Sequence, residues 1–291
     1  LSSAVNMGPV KAVPFVVGRF TAYDTAFDSF SPGEEDEARL WGSAGLTLST
    51  SISRVDDGVE SRTFDLHRMR HIIEPSITVW QSGSSIDAED LPVYDDDVEG
   101  LADGTGFRGG ISQTWQTKRG GPGRWRNVDV FTLDTEYVWF SDDVERETEI
   151  GRWYGARPEL SVPDEFVRVS GTWQLSEVVG LTGETIWDVE DSREDRNSAG
   201  MLIRHSERFA SKFEYRQIEF QDDTYGDAMF QGLFGDKYAY EVRGTYNFRV
   251  DDFQAVSFTL MRAFPNGMLG GSLTYNNISG ETSFGVVIQP T

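Results

Sequence analysis

The chain contains no cysteine, which removes disulfides, zinc thiolate centres and thiol catalysis from consideration and leaves the redox compartment open. Long apolar runs are also missing. No stretch approaches the roughly 20 consecutive apolar residues of a spanning helix, and the mean hydropathy is −0.41, so a helical membrane protein is excluded. Basic residues are scarce: 26 Lys and Arg stand against 48 Asp and Glu, a net charge of −22. Such a surface repels phosphate backbones and excludes nucleic acid as a partner. Histidine is nearly absent, with only His67, His71 and His205. Neither an initiator Met nor a signal segment opens "LSSAVNMGPV", and the chain is read as a mature or excised fragment.

What is present is period-two alternation from end to end. Candidate strands fall near 10–23, 38–54, 62–80, 107–117, 128–140, 166–174, 178–189, 198–206, 209–220, 238–250, 254–264, 268–279 and 282–289. Several are as long as the 9–11 residues of a tilted membrane strand, beyond the mode of about 5–6 in soluble proteins. Aromatic residues make up 13% of the chain and glycines number 30, a composition suited to strands with interfacial rings and many turns. Between the strands lie acidic segments read as solvated loops, "FSPGEEDE", "VYDDDVEGLADG", "SDDVERETE", "VEDSREDRN" and "FQDDTYGD". The expected fold is all-β, an antiparallel up-and-down transmembrane β-barrel, or a large part of one, of about 12–16 strands.

The last strands allow a parity test. In "YAYEVRGTYNFRV" one face carries Tyr238, Tyr240, Val242, Tyr246 and Phe248, and the other carries Glu241, Arg243, Asn247 and Arg249, expected to face the lumen. Matching this apolar face to Val256, Phe258 and Leu260 requires a loop of odd length near Asp251. An Asn266-Gly267 turn would set Phe264 opposite Leu269, and a Gly280-Glu281 turn would set Leu273 opposite Ile288. In the last strand Phe284, Val286 and Ile288 are expected to face lipid. Parity does not say which face is outside: a soluble barrel buries the apolar face, and a membrane barrel exposes it.

Catalytic and metal signatures are weak. His67 and His71 have helical spacing inside a strand and do not readily share a metal. No Gly-x-Ser-x-Gly elbow or phosphate loop occurs, so no catalytic residue, cofactor or metal site is assigned and an enzyme is not expected. Asp95–Asp97 and Asp222–Asp223 could hold calcium but lack the spaced loop of a dedicated site. Pro75 interrupts the alternation in "RMRHIIEPSITVW". Because proline donates no N–H, this strand is expected at an edge or with a local bend.

The run "RHIIEPSITVW" followed by "LPVYDDD" resembles the lipopolysaccharide-assembly outer-membrane protein D (organic solvent tolerance) family at His71, Glu74, Pro75, Pro92 and Asp95. "GISQTWQTKRG" before "VDVFTLDTEYVWF", and "FTLMRAFPNGMLGGSLTYN", are similar to further strand pairs of that family. The resemblance spreads over most of the chain through short, degenerate motifs. It implies the C-terminal barrel segment (1–291) of a longer chain in a Gram-negative-type outer membrane. Such a protein would receive lipopolysaccharide from a periplasmic bridge protein, hold a plug lipoprotein, and release its cargo among outer-membrane lipid through a seam at its closing strand. The family's periplasmic jellyroll is not evident, and the strands number about half of its barrel. The alternatives are a general porin-like, cation-preferring channel and a soluble carbohydrate-active β protein.

Overall fold

Alternating side chains build a single sheet that describes a meander. The structure, a computed structural model, describes residues 2–23, 38–86, 101, 103–121, 123–141, 163, 165–219, 222–277 and 280–290. Its strands are β1 (Val5–Met7), β2 (Val10–Ala22), β3 (Ala38–Thr50), β4 (Ile52–Ser61), β5 (Leu66–Ser84), β6 (Gly104–Arg119), β7 (Arg126–Phe140) and β8 (Glu165–Gln174), continuing as β9 (Val179–Asp188), β10 (Arg193–Ser206), β11 (Phe209–Ile218), β12 (Asp223–Phe234), β13 (Tyr238–Asn247), β14 (Asp252–Phe264), β15 (Gly267–Asn276) and β16 (Glu281–Pro290). Each pairs antiparallel with its neighbour in sequence, except that β3 and β4 both pair with β5.

Exposure decides which face is outside. The two faces are inverted relative to a soluble protein. Val242, Val256, Phe258, Leu260, Leu273 and Tyr275 stand out in the open, as do Phe213, Phe230, Ile77 and Val79 on earlier strands. The shielded positions include Ser43, Ser82, Asp188, Asp227 and Asn247. Backbone pairing inside a sheet whose outer band is apolar is the arrangement a bilayer demands. The fold is therefore an all-β, antiparallel up-and-down transmembrane β-barrel or a large part of one, and the soluble reading fails on this exposure.

The registers correct several sequence-based expectations. Between β13 and β14 the connection is 248–251, of even length, and Thr245 pairs with Ala255 while Tyr246 pairs with Phe253. The parity correction comes instead from a bulge at Gln254, since one extra residue flips the faces as an odd loop would. At the next hairpin Phe264 pairs with Gly267, so the turn is Pro265-Asn266 and Phe258 faces Leu273. At the last, Asn276 pairs with Glu281 and Leu273 with Phe284. These registers differ from expectation by two and four residues, and even shifts leave every side chain on its own face. Gly280 sits at φ +66° just before β16, a conformation that glycine adopts freely.

Two segments read as acidic loops are strands. Asp223–Asp227 opens β12, and Arg193–Asn197 opens β10. β4, read as the tail of one long strand and a loop, is a separate strand whose register continues that of β3: Ser49 pairs with Ser76 and Ile52 with Ile73. The break falls where Thr50 and Ser51 would meet Pro75 and Glu74. Pro75 thus lies on an interior strand, not an edge, and the missing donor coincides with the interruption, while its other neighbour pairs through Ile111.

Candidate lumenal channel

Connectivity separates the two rims. The connections 23–37, 85–103, 141–164, 189–192, 219–222, 248–251 and 277–280 join strands at one rim, and the short links 8–9, 62–65, 120–125, 175–178, 207–208, 235–237 and 265–266 join them at the other. The first set carries 26 carboxylates against four arginines, a net of −22, and the second carries four of each sign. The sequence that connects strands at the first rim thus accounts for the protein's net charge, and its described residues include Asp103, Glu190, Asp191, Glu219, Asp222 and Asp251 against Arg249.

Inside, charges sit on the same face because the sheet register puts them there. Glu136 on β7 stands opposite Arg168 on β8. Arg108 on β6 grips Glu136 with Nε and Nη2, each 2.6 Å from Oε2. Arg168 holds Glu136 at 3.0 Å with Nη1 and Glu184 on β9 at 2.7 Å with Nη2, and Arg196 on β10 reaches Glu184 at 3.6 Å. A second group follows, in which Asp227 on β12 receives Thr245 Oγ1 at 2.7 Å, Arg243 at 3.3 Å and Arg216 at 3.7 Å. Charges thus cross eight strands, β6 to β13, alternating in sign from Arg108 to Arg196 and again from Arg216 to Arg243, with Arg196 and Arg216 as like-charged neighbours where the two groups meet. A polar cavity of about 300 Å³ opens beside them, lined among others by Ser76, Thr78, Ser112 and Asp134. Near the acidic rim the lumenal face turns apolar, where Val138, Phe166 and Ile186 pack together fully buried.

The residues singled out from sequence fall in different places. Glu241, Arg243 and Asn247 lie on the lumenal parity of β13, with Arg243 in the ladder and Asn247 donating to Asp223 at 3.4 Å. Arg249 is not on the strand: β13 ends at Asn247. It occupies the β13–β14 turn and bonds Asp223 with Nε, and that carboxylate pushes its guanidinium further up from the ordinary arginine range. Glu74 is on the lumenal parity of β5, opposite Ser112. His71 is on the apolar face, stacked on Trp115 at 4.3 Å with Nε2 3.1 Å from Gln113 Oε1. Pro92, Asp95 and the Asp95–Asp97 run lie outside the described residues. His67 contacts Asp65 at 3.3 Å, and His205 contacts Ser211 at 2.8 Å on the apolar side. Asp223 is committed to Arg249, Tyr225 and Asn247, and among the described residues no acidic or histidine cluster has metal-ligating geometry.

Phe284, Val286 and Ile288 lie on the outer face of β16, opposite Leu273, Gly271 and Leu269. They are 74%, 66% and 76% exposed, against 43–50% for Leu260, Phe258 and Leu273 on interior strands. The difference reflects a neighbour on one side only. Among the described residues no ladder joins β16 to β1, so β16 is the last strand of the described sheet.

Sequence inspection missed Arg108, Glu136, Arg168, Glu184, Arg216 and Asp227. Their signal was a charged residue within the parity opposite to the apolar one, but pairing Glu136 with Arg168 needs the register across connection 141–164.

No family model and no curated protein matches the chain. Solved structures that resemble it include a triple mutant of the Rhodopseudomonas blastica porin (TM-score 0.46, 10% identity) and an engineered chain described under "Asymmetric conductivity of engineered proteins" (TM-score 0.46, 11% identity), each aligned over 97% of this chain and 100% of its own. A second triple mutant of the same porin aligns at TM-score 0.43 and 11% identity. The functional reading therefore rests on the chain's own geometry.

Proposed function

We propose that the protein is a porin-like channel of a Gram-negative-type outer membrane, passing small hydrophilic solutes with a preference for cations. The observation that carries this reading is the ladder of charged side chains on the shielded face, surrounded by an apolar band. Barrels of this strand number enclose water, and a charged lining orders that water and its ions. Lumenal charges are largely paired, so the sign of the field at the mouth comes from the acidic rim, which concentrates cations. Long connections face outward in such barrels, which places the acidic rim on the cell exterior. The chemistry is conduction without covalent steps. The test is a planar bilayer under a tenfold KCl gradient. A reversal potential of cation sign at 0.1 M that shrinks towards zero near 1 M, where the Debye length falls from about 10 to 3 Å, supports it. An anion-signed potential, or no unitary current, overturns it.

A second reading, lateral delivery of lipopolysaccharide, draws on the one-sided pairing of β16. An unpaired edge in hydrocarbon costs several kcal/mol per exposed backbone group, so that edge calls for a covering strand. In this reading the plug lipoprotein and the periplasmic bridge protein are partners. Crosslinking from Val286 to lipopolysaccharide in living cells separates the readings, because a channel alone gives no selective lipid adduct there.

A further inference from the structure

On the outer face of β10–β14, side chains are missing where neighbouring strands carry small residues. The register aligns Ala199, Tyr215, Gly226 and Tyr246 in one row and Met201, Phe213, Ala228 and Gly244 in the next. Gly226, Ala228 and Gly244 form a floor, and the rings of Phe213 and Tyr215 on one side and Tyr246, Phe248 and Phe253 on the other form walls around a groove of about 690 Å³. The Tyr246 ring meets those of Phe248 and Phe253 edge-on, with centroids 5.2 Å apart in each case, which holds that wall upright. The groove runs towards the acidic rim. There the Tyr246 hydroxyl donates to Asp251 Oδ1 at 2.5 Å, and the neighbouring Asp252 carboxylate accepts from Asn277 Nδ2 at 2.8 Å. The turn's one cation, Arg249, is bonded to Asp223 on the lumenal side and does not neutralise this pair.

We infer that this groove binds one acyl chain of a membrane lipid whose headgroup carries a primary ammonium, with Asp251 and Asp252 receiving the ammonium. The inference rests on the membrane-barrel part of the proposed function. A cleft in the apolar band is filled by whatever surrounds it, and in a bilayer that is hydrocarbon. Aromatic walls give a chain more contact than the open sheet does. The carboxylates then choose among lipids, since an ammonium complements them and a bare phosphate is repelled.

The experiment uses the full chain in vesicles of phosphatidylethanolamine and phosphatidylglycerol, with a spin label at the same acyl position of either lipid. The expected result is a larger motionally restricted fraction for phosphatidylethanolamine, by roughly two- to five-fold in relative affinity as expected for an exposed ion pair. The double variant Asp251→Asn with Asp252→Asn should equalise the two lipids. Gly244→Leu should lower the restricted fraction of both, because a Cβ there meets the Phe253 ring at an ordinary 3.6 Å and the larger side chain fills the groove. Equal restriction of both lipids by the unsubstituted protein, or an unchanged fraction in Gly244→Leu, overturns the inference. So does crosslinking between two copies through cysteines placed at Phe213 and Phe253, which would assign the groove to a second chain. Conductance recorded from the same vesicles tests the channel separately: a lipid difference without unitary current sinks the channel and leaves the groove standing.

Discussion

Glu136 and Arg168 face each other across β7 and β8, joined at 3.0 Å, and Arg108 holds the same carboxylate from the other side. One acid thus serves two guanidinium groups, of which Arg168 also holds Glu184. Glu136→Gln leaves both short of a partner, so unfolding in urea should shift to lower concentration by about 1–3 kcal/mol. It also adds net positive charge to the lumen, and the reversal potential should move towards anion preference. A variant that loses stability without moving the potential would place Glu136 off the ion path.

The faces can be tested with one charge in two positions. Leu260 lies on the exposed apolar parity of β14 and Thr259 on the lumenal one. Leu260→Arg should cost up to about 2–4 kcal/mol, as for an arginine facing lipid near the bilayer midplane, whereas Thr259→Arg should fold nearly as well as the parent. Equilibrium unfolding from lipid vesicles measures both, and equal costs would contradict the assignment of faces.

Pro75 offers a test of why β3 and β4 are separate. Pro75→Ala restores an N–H opposite the break at Thr50 and Ser51. If the absent donor causes the interruption, the new amide should exchange slowly, with protection comparable to that of Ser76, and β3 should run into β4. Fast exchange at Ala in that position would assign the break to the chain around Ser51.

Arg119 is 1% exposed and donates through Nη2 to the carbonyls of Phe64 at 3.2 Å and Gln174 at 2.9 Å. It ties the β4–β5 turn to the end of β8, where Phe64 and Trp173 rings lie 6.0 Å apart. Arg119→Ala removes both bonds and leaves a void, and should destabilise by about 2–4 kcal/mol. Limited proteolysis at 62–65 reports whether the turn is released: cleavage there should rise in the variant, and an unchanged pattern would show that ring packing alone holds the turn.

Much of this architecture was legible before the structure. Strand existence, antiparallel order and the division of each strand into a greasy and a charged face follow from a period of two, which is local. Even errors in turn placement did no harm to the faces, as Leu273 shows: it pairs with Phe284 instead of Ile288, on the same side. β12 was missed because Asp222, Asp223 and Asp227 look like loop chemistry. Their carboxylates are tolerated near or in a strand because Arg249, Arg216 and Arg243 come to Asp223 and Asp227 from elsewhere in the chain.

The sequence by itself determined the alternation, the absence of thiol chemistry and the location of the net charge in a few connections, all properties of neighbouring residues or simple counts. Only the tertiary structure decided that the apolar face is the outer one, that the acidic connections gather at a single rim, and that charges from eight strands line up as one ladder. Each of these depends on strand register and sheet curvature, which bring together residues far apart in the chain, and no short-range pattern encodes that meeting.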